Sequence, residues 1–261
     1  MDGRKRPGDC CGMSAIDTQY TSEEMMTIAA ARKFTDRAIC FVGVGLPSVA
    51  ACVARQLHAP KITLVYESGA IDSKPTVIPL SIADLELAET AGLIVGVPEI
   101  FAYWLQGGWI DIGFLGAAQI DQFANLNSTV IGDYNSPKLR LPGAGGAPHI
   151  AANAREIVVI LRQSLKVFVS RVDFLTTARS KRKTTVVTDL GVLQTHPETG
   201  ELILISRYPG VNLEQIRETT GWPLKIADNL SEIPAPTERE LSVLRTLNST
   251  AETQGQSSRR S

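Results

Sequence analysis

A continuous apolar run over residues 38–44 and a largely apolar, β-branched run over 61–66 flank a segment that begins at Leu46-Pro47 and reads as a helix to residue 57. The second run, Lys61-Ile62-Thr63-Leu64-Val65-Tyr66, is apolar and β-branched without alternation, which predicts a strand covered on both faces and hence a parallel sheet. Pro47 suits the first turn of the intervening helix. Together these segments predict a β-α-β unit with a right-handed crossover. The second strand runs out into Glu67-Ser68-Gly69. That places a carboxylate at the rim of the sheet, where open α/β folds hold their ligands. Ser68 and Gly69 let the backbone turn sharply beside it. A glutamate at a strand end is more often an ordinary turn residue, so its role depends on what accompanies it.

The rest of the chain repeats the alternation. Thr21 and Glu24 form a capping-box pattern ahead of a helix to residue 33. Ser81 is expected to cap a helix ended by Gly92, followed by a short strand over 93–97 and a helix over 99–106. Strands are expected at 110–115, 157–161, 185–188 and 202–206. Asn212 caps a short helix stopped by Gly221, and Thr237 with Glu240 opens a last helix to residue 247. The predicted fold class is α/β, an open and predominantly parallel sheet flanked by helices. The expected organisation is a disordered extension over residues 1–20, one domain over 21–248 and a disordered tail over 249–261.

Composition narrows the classes of function. Hydrophobic residues make up 44% and charged residues 20% of the 261, as in a globular domain, and a formal charge of -1 argues against a nucleic-acid footprint. The basic run Arg179-Ser180-Lys181-Arg182-Lys183 reads as a solvated loop between strands; attraction for the phosphates of a ligand would require it to face the site. No apolar run is long enough to span a bilayer, and no apolar core follows the basic N-terminus, so neither a membrane span nor a secretory signal is expected and the expected location is the cytoplasm. Met13 is a candidate start, since residues 1–12 carry no recognisable signal. Cys40 and Cys52 read as small core residues, and Cys10-Cys11 sits in a polar stretch; neither a metal nor a structural disulfide is expected.

Three further segments accompany Glu67. Gly43-Val44-Gly45-Leu46-Pro47 is half a dinucleotide fingerprint, but Ser48 stands where a third glycine would fall, which argues against NAD. What remains is a glycine turn into a helix N-terminus, a place that favours anionic groups. Phe114-Leu115-Gly116-Ala117-Ala118-Gln119-Ile120-Asp121 leads to Asn125-Leu126-Asn127. Gly143-Ala144-Gly145-Gly146-Ala147 is a second glycine-rich loop.

In this order and at these intervals, over residues 23–247, the chain resembles the B (beta) subunit of the glutaconate-type class I CoA-transferases. The resemblance implies that Glu67 is the catalytic nucleophile and that the amides near Gly145, Gly146 and Ala147 donate to a developing oxyanion. It implies a cleft lined by Gly43, Gly45, Ser68, Gly69, Gly116, Gln119 and Asn127. Asn125 and Asn127 are equally readable as turn-formers. The sequence departs from the family at Phe123-Ala124, where tyrosine and glycine are common. His149 alone among the three histidines is expected near the site, with no role assigned.

The implied reaction is ping-pong: an acyl-CoA gives up its CoA to Glu67, forming a glutamyl-CoA thioester that then passes CoA to a carboxylic acid. Coenzyme A is a substrate moiety, and no permanently bound cofactor is expected. The family's site lies between two subunits, so an alpha subunit is the expected partner in a heteromer, alongside acyl-CoA and carboxylate substrates. One alternative is a CoA-thioester hydrolase or lyase subunit on the same fold, with Glu67 as base or structural residue. The resemblance implies that such relatives lack the usual Glu at this position, so Glu67 favours the transferase. A non-catalytic ligand sensor is the other alternative, but residues 1–20 are too few for the DNA-binding module it would need.

Overall fold

The computed structural model describes residues 19–79 and 81–257, with side chains described to residue 250. Cys10, Cys11, Met13 and most of the expected N-terminal extension lie outside the described residues. Helix α1 (Ser22–Ala31) opens with the expected capping box: Thr21 Oγ1 accepts the Glu24 N–H at 3.1 Å, and the Glu24 carboxylate accepts the Thr21 N–H at 2.9 Å. β1 (Ile39–Phe41), α2 (Leu46–Leu57) and β2 (Thr63–Val65) form the expected β-α-β unit, with β1 and β2 parallel in the register Cys40 to Leu64.

β3 (Ala70–Ile71), α3 (Leu85–Glu89), β4 (Leu93–Ile94) and α4 (Val97–Glu99) follow, then a π-helical turn over Ile100–Leu105. Beyond it come β5 (Ile112–Leu115), the small pairs β6 (Gln119–Ile120) with β7 (Leu126–Asn127) and β8 (Val130–Gly132) with β9 (Pro137–Arg140), and α5 (Ala147–Asn153). The chain continues through β10 (Glu156–Ile160), β11 (Lys183–Val187), β12 (Gly191–Thr195), β13 (Leu202–Arg207), α6 (Leu213–Glu218), β14 (Lys225–Glu232) and α7 (Glu238–Ser257).

One ten-stranded sheet runs β14-β13-β12-β11-β10-β5-β1-β2-β3-β4. Its five central strands, from β11 to β2, are parallel; β11–β12–β13 and β2–β3–β4 are antiparallel flanks. The central strands alternate their side chains between two apolar layers, as a sheet covered on both faces must. Cys40, Leu64 and Val158 face a layer built from α1, α2 and α7; Phe41, Val65 and Val159 face one built from the π-turn, α5 and α6. Desolvation in that packing pushes the Cys40 thiol up to about 12 and the Cys52 thiol up to about 11.

Four expectations change. Asp84, not Ser81, caps α3, accepting the Glu86 N–H at 3.2 Å; the Ser81 hydroxyl accepts the Ala83 N–H in a bend instead. The helix expected over 99–106 is a π-turn entered from α4. β12 and β14 were not expected, and β12 makes the sheet's far side antiparallel. α7 continues to Ser257, so its last turns lie in residues expected to be a disordered tail. No helix among the described residues is long and apolar enough to cross a membrane.

Because β1 is flanked by β2 on one side and β5 on the other, the chain leaves β1 in one direction and returns in the opposite one. The loops after β1 and β5 diverge there, which is the topological switch point where doubly wound sheets open a crevice. Gly43–Gly45 follows β1, Gly116 follows β5, and Glu67 leaves the adjacent β2.

Candidate active site

Glu67 and Ser68 form the tip of the β2–β3 hairpin. The Tyr66 N–H donates to Ala70 O at 2.9 Å and the Gly69 N–H to Tyr66 O at 3.0 Å, closing a three-residue turn. Such turns end on a left-handed residue, and Gly69 supplies it with φ +103°. A Cβ at Gly69 would lie 2.0 Å from the Val95 carbonyl oxygen, so glycine is required for space as well as for φ. The turn projects a half-buried Glu67 whose carboxylate makes no hydrogen bond or ion pair among the described residues.

The second glycine loop comes to meet it. The Gly143 N–H donates to Ser128 O and the Ser128 hydroxyl donates to Gly143 O, both at 2.8 Å, clamping the loop's entrance. Gly143 (φ +100°) and Gly145 (φ +48°) then bend the chain toward the hairpin tip. A Cβ built on Gly145 would lie 3.8 Å from one Glu67 carboxylate oxygen. A Cβ built on Gly146 would lie 3.4 Å from the Glu67 carboxyl carbon and 2.8 Å from Phe101 Cζ. Glycines far apart in sequence from Glu67 thus stand against its carboxyl group. The Ala147 N–H is taken by Ala144 O at 3.1 Å, whereas the Gly145 and Gly146 N–H groups have no acceptor among the described residues.

Gly43, Gly45 and Gly116 stand at the strand exits around this point, each with open space where a Cβ would go. Ser48, buried on α2, donates to Gly43 O at 2.9 Å and holds the turn before the helix. Gln119 and Asn127 are different. Asn127 is wholly buried, its Nδ2 donating to Gln119 Oε1 at 2.8 Å and to Val130 O at 2.7 Å, and its Oδ1 accepting the Thr129 N–H at 3.0 Å. Gln119 Oε1 also accepts the Asp173 N–H at 3.0 Å. These two side chains pin β6, β7 and the loop before Thr176 together and do not line an open surface, which corrects their expected place in the cleft.

The unusual Phe123-Ala124 pair is accommodated by strain. Ala124 sits at φ +60°, the left-handed region that glycine enters freely. Asp121 holds it there, accepting the N–H groups of Phe123 (2.9 Å) and Asn125 (3.1 Å) and the Asn125 side-chain amide (2.9 Å).

Sequence reasoning missed Phe101. It lies on the π-turn, whose widening is marked by the Gln106 N–H donating to Phe101 O at 3.0 Å. Its ring sits between Phe41 (centroids 6.4 Å) and His149 (5.6 Å, edge-on) and covers Gly146. His149 is therefore in the site's surroundings, as expected. His58 instead bonds Phe34 O at 3.1 Å, and His196 Nδ1 accepts N–H groups in the β12–β13 hairpin. Asp72 pairs with Lys74 at 3.0 Å. The basic loop lines a cavity of about 510 Å³ with Pro148, Ala151 and Ala152, along the flank of α5. Among the described residues no cluster of His, Cys, Asp and Glu could hold a metal ion.

Residues 23–219 match the family described as Coenzyme A transferase. The chain is 51% identical to the B subunit of 3-oxoadipate CoA-transferase from Pseudomonas knackmussii, covering 91% of this chain and 97% of that one. It is 32% identical to the B subunit of glutaconate CoA-transferase from Acidaminococcus fermentans, over 87% of this chain and 92% of that one. The crystal structure of that organism's glutaconate coenzyme A-transferase superposes with a TM-score of 0.81 at 30% identity, covering 87% of this chain and 94% of the other. The decarboxylase AibA/AibB superposes with a TM-score of 0.79 at 28% identity, covering 87% and 94%. A family match over most of the chain, together with identity of this extent, means that this chain belongs to the Coenzyme A transferase family.

Proposed function

We propose that Glu67 carries CoA between donor and acceptor, and that the Gly145 and Gly146 amides serve the oxyanions formed on the way. The enzyme is a heteromeric CoA-transferase and this chain is its B (beta) subunit. The observation that carries the residue assignment is the approach of Gly145 and Gly146 to a Glu67 carboxylate that no donor among the described residues occupies.

A Glu67 oxygen attacks the thioester carbonyl of the donor, the C–S bond breaks, and CoA thiolate leaves from a mixed anhydride. The thiolate then attacks the glutamyl carbonyl carbon and the donor acid departs as a carboxylate. The resulting glutamyl-CoA thioester reacts with the acceptor carboxylate by the same two steps in reverse. Each attack places negative charge on an oxygen bound to carbon, and uncommitted N–H groups fixed in place stabilise it without reorganising. Of the three amides expected as donors, Ala147 is spent on Ala144, which leaves Gly145 and Gly146. Gly43, Gly45, Ser68, Gly69 and Gly116 border the reacting groups.

The other half of the site belongs to an alpha subunit. Beside the hairpin tip, Ser68, Ala70, Ile82, Leu85, Leu87 and Ile94 surround a cavity of about 140 Å³. Leu85 (66% exposed), Ile94 (60%) and Ile82 (40%) form an apolar surface there that suits coverage by a partner. Similarity to subunits named for 3-oxoadipate and glutaconate, both dicarboxylic acids, supports a dicarboxylic acid as the acceptor.

Initial rates on the complex purified with its alpha subunit, using succinyl-CoA and 3-oxoadipate, test this reading. Parallel double-reciprocal lines are expected. Glu67→Gln is expected to lower transfer by about 10³-fold or more with the complex still assembled. Intersecting lines and a Glu67→Gln variant near wild-type activity would contradict it.

A further inference from the structure

A glutamyl-CoA thioester has a competitor that the transfer chemistry does not exclude by itself. Water can add to the glutamyl carbonyl carbon and expel CoA, which leaves with a proton as the free thiol while Glu67 returns to a carboxylate. Each such event destroys a thioester and transfers nothing. We propose that Phe101 is the residue that shields the Glu67 carboxyl carbon from water and so keeps the enzyme a transferase. This inference rests on the reading of Glu67 as the residue that bears CoA.

The geometry sets the ring where a shield must stand. Phe101 Cζ and Cε1 lie 2.8 and 2.9 Å from the position of a Cβ on Gly146, and the Glu67 carboxyl carbon lies 3.4 Å from that same position. Ring edge and carboxyl carbon therefore both face one glycine; the ring could not remain in place if that residue had a Cβ, whereas the carboxyl carbon would sit in ordinary contact with it. The ring is held by aromatic neighbours, Phe41, buried on β1, and the edge-on His149 ring. It has no polar atom with which to bind a water molecule near the acyl carbon.

The π-turn is what brings it there. The Phe101 carbonyl accepts from Gln106 five residues on rather than four, and Trp104 likewise accepts from Trp109 at 3.1 Å. Such an insertion shifts the side chains before it around the helix axis relative to an α-helix, and turns of this kind recur where a side chain must be aimed. Ile100 and Leu105, wholly buried, anchor the turn in the core while Phe101 stays half-buried at its surface. An aromatic side chain in that position excludes water on one side of the carboxyl group, and exclusion of water is what protects a reactive acyl intermediate.

The test uses the complex with its alpha subunit, charged with succinyl-CoA in the absence of acceptor, for wild type, Phe101→Leu and Phe101→Ala. The lifetime of the CoA adduct on Glu67 is followed by intact-protein mass spectrometry, and free thiol is followed in parallel. Phe101→Ala is expected to shorten the adduct lifetime about tenfold and to raise free thiol released per CoA transferred by a similar factor. Phe101→Leu, which keeps an apolar side chain there, is expected to stay within about threefold of wild type. If the adduct forms in both variants with the wild-type lifetime, Phe101 is packing only and the inference is overturned. If wild type forms no adduct, the reading of Glu67 fails and this inference falls with it. Should Phe101→Ala not assemble, Phe101→Val takes its place, with the same ordering of lifetimes required.

Discussion

Gly69 and Gly146 both lack room for a methyl group, but the consequences of adding one differ. At Gly69 the obstacle is the Val95 carbonyl oxygen at 2.0 Å, and φ is +103°. Gly69→Ala should therefore cost about 2–4 kcal/mol in denaturant unfolding, since backbone and strand pairing must both give way. At Gly146 the obstacle is the Phe101 ring, a side chain that can move, and the added methyl group would touch the Glu67 carboxyl carbon at 3.4 Å. Gly146→Ala should shift the melting temperature by only a few degrees while lowering kcat by about 10- to 100-fold. A variant that lost stability and kept its turnover would contradict that placement. Asp121→Ala leaves two backbone N–H groups and the Asn125 side-chain amide without their acceptor beside the strained Ala124 and should cost about 1–3 kcal/mol. The turn that carries Glu67 and the second glycine loop were legible in the sequence because the left-handed backbone at Gly69, Gly143 and Gly145 favours glycine. Gln119 and Asn127 were misplaced because an amide that binds a ligand and an amide that ties two strands together look alike in a sequence. Phe101 gave no signal, since Ile100-Phe101-Ala102-Tyr103-Trp104-Leu105 is apolar all round and does not declare which ring faces the site.

The elements that the sequence predicted best are those with local causes. The capping box of α1, Pro47 at the start of α2 and Asn212 ahead of α6 each act within one turn of chain, and each stands where expected. β14 was missed for the opposite reason. Its residues are mostly polar and partly or fully exposed, and only pairing with β13 makes them a strand. The π-turn was also illegible, because its extra residue is held by packing rather than by a local signal. α7 is tied to α1 by two ion pairs, Arg32 with Glu240 at 2.7 Å and Arg245 with Glu24 at 2.6 Å. The Arg245 hydrogen bond holds the Glu24 carboxyl below its ordinary value. For Glu240, burial pulls upward but the Arg32 and Thr237 hydrogen bonds outweigh it, and the result is also below the ordinary value. Carboxylates depressed in the folded state stabilise it above the ordinary carboxylate range, and that contribution is lost as pH falls through the depressed values. Hydrogen exchange between about pH 5 and pH 3 should show amides near Leu241 and Leu244 losing protection before those of β1 and β5. Simultaneous loss in both regions would contradict a separate acid-sensitive clamp.

At the scale of the molecule, Glu67 and the glycine turns gather on one rim of the sheet and an apolar surface lies beside them. Ile94 is half of the edge strand β4 and is exposed next to the hairpin that carries Glu67. Ile94→Arg should abolish co-purification with the alpha subunit while leaving the melting temperature of the isolated chain within a few degrees. Retention of the complex would move the interface elsewhere. The most direct measurement is made on the assembled heteromer. It is incubated with succinyl-CoA, treated with borohydride, digested and searched by mass spectrometry for a reduced residue. Modification confined to Glu67 and dependent on the acyl-CoA is the predicted result. Turnover of acyl-CoA with an unmodified Glu67, and with Glu67→Ala still active, would contradict the assignment of Glu67 as the carrier of CoA.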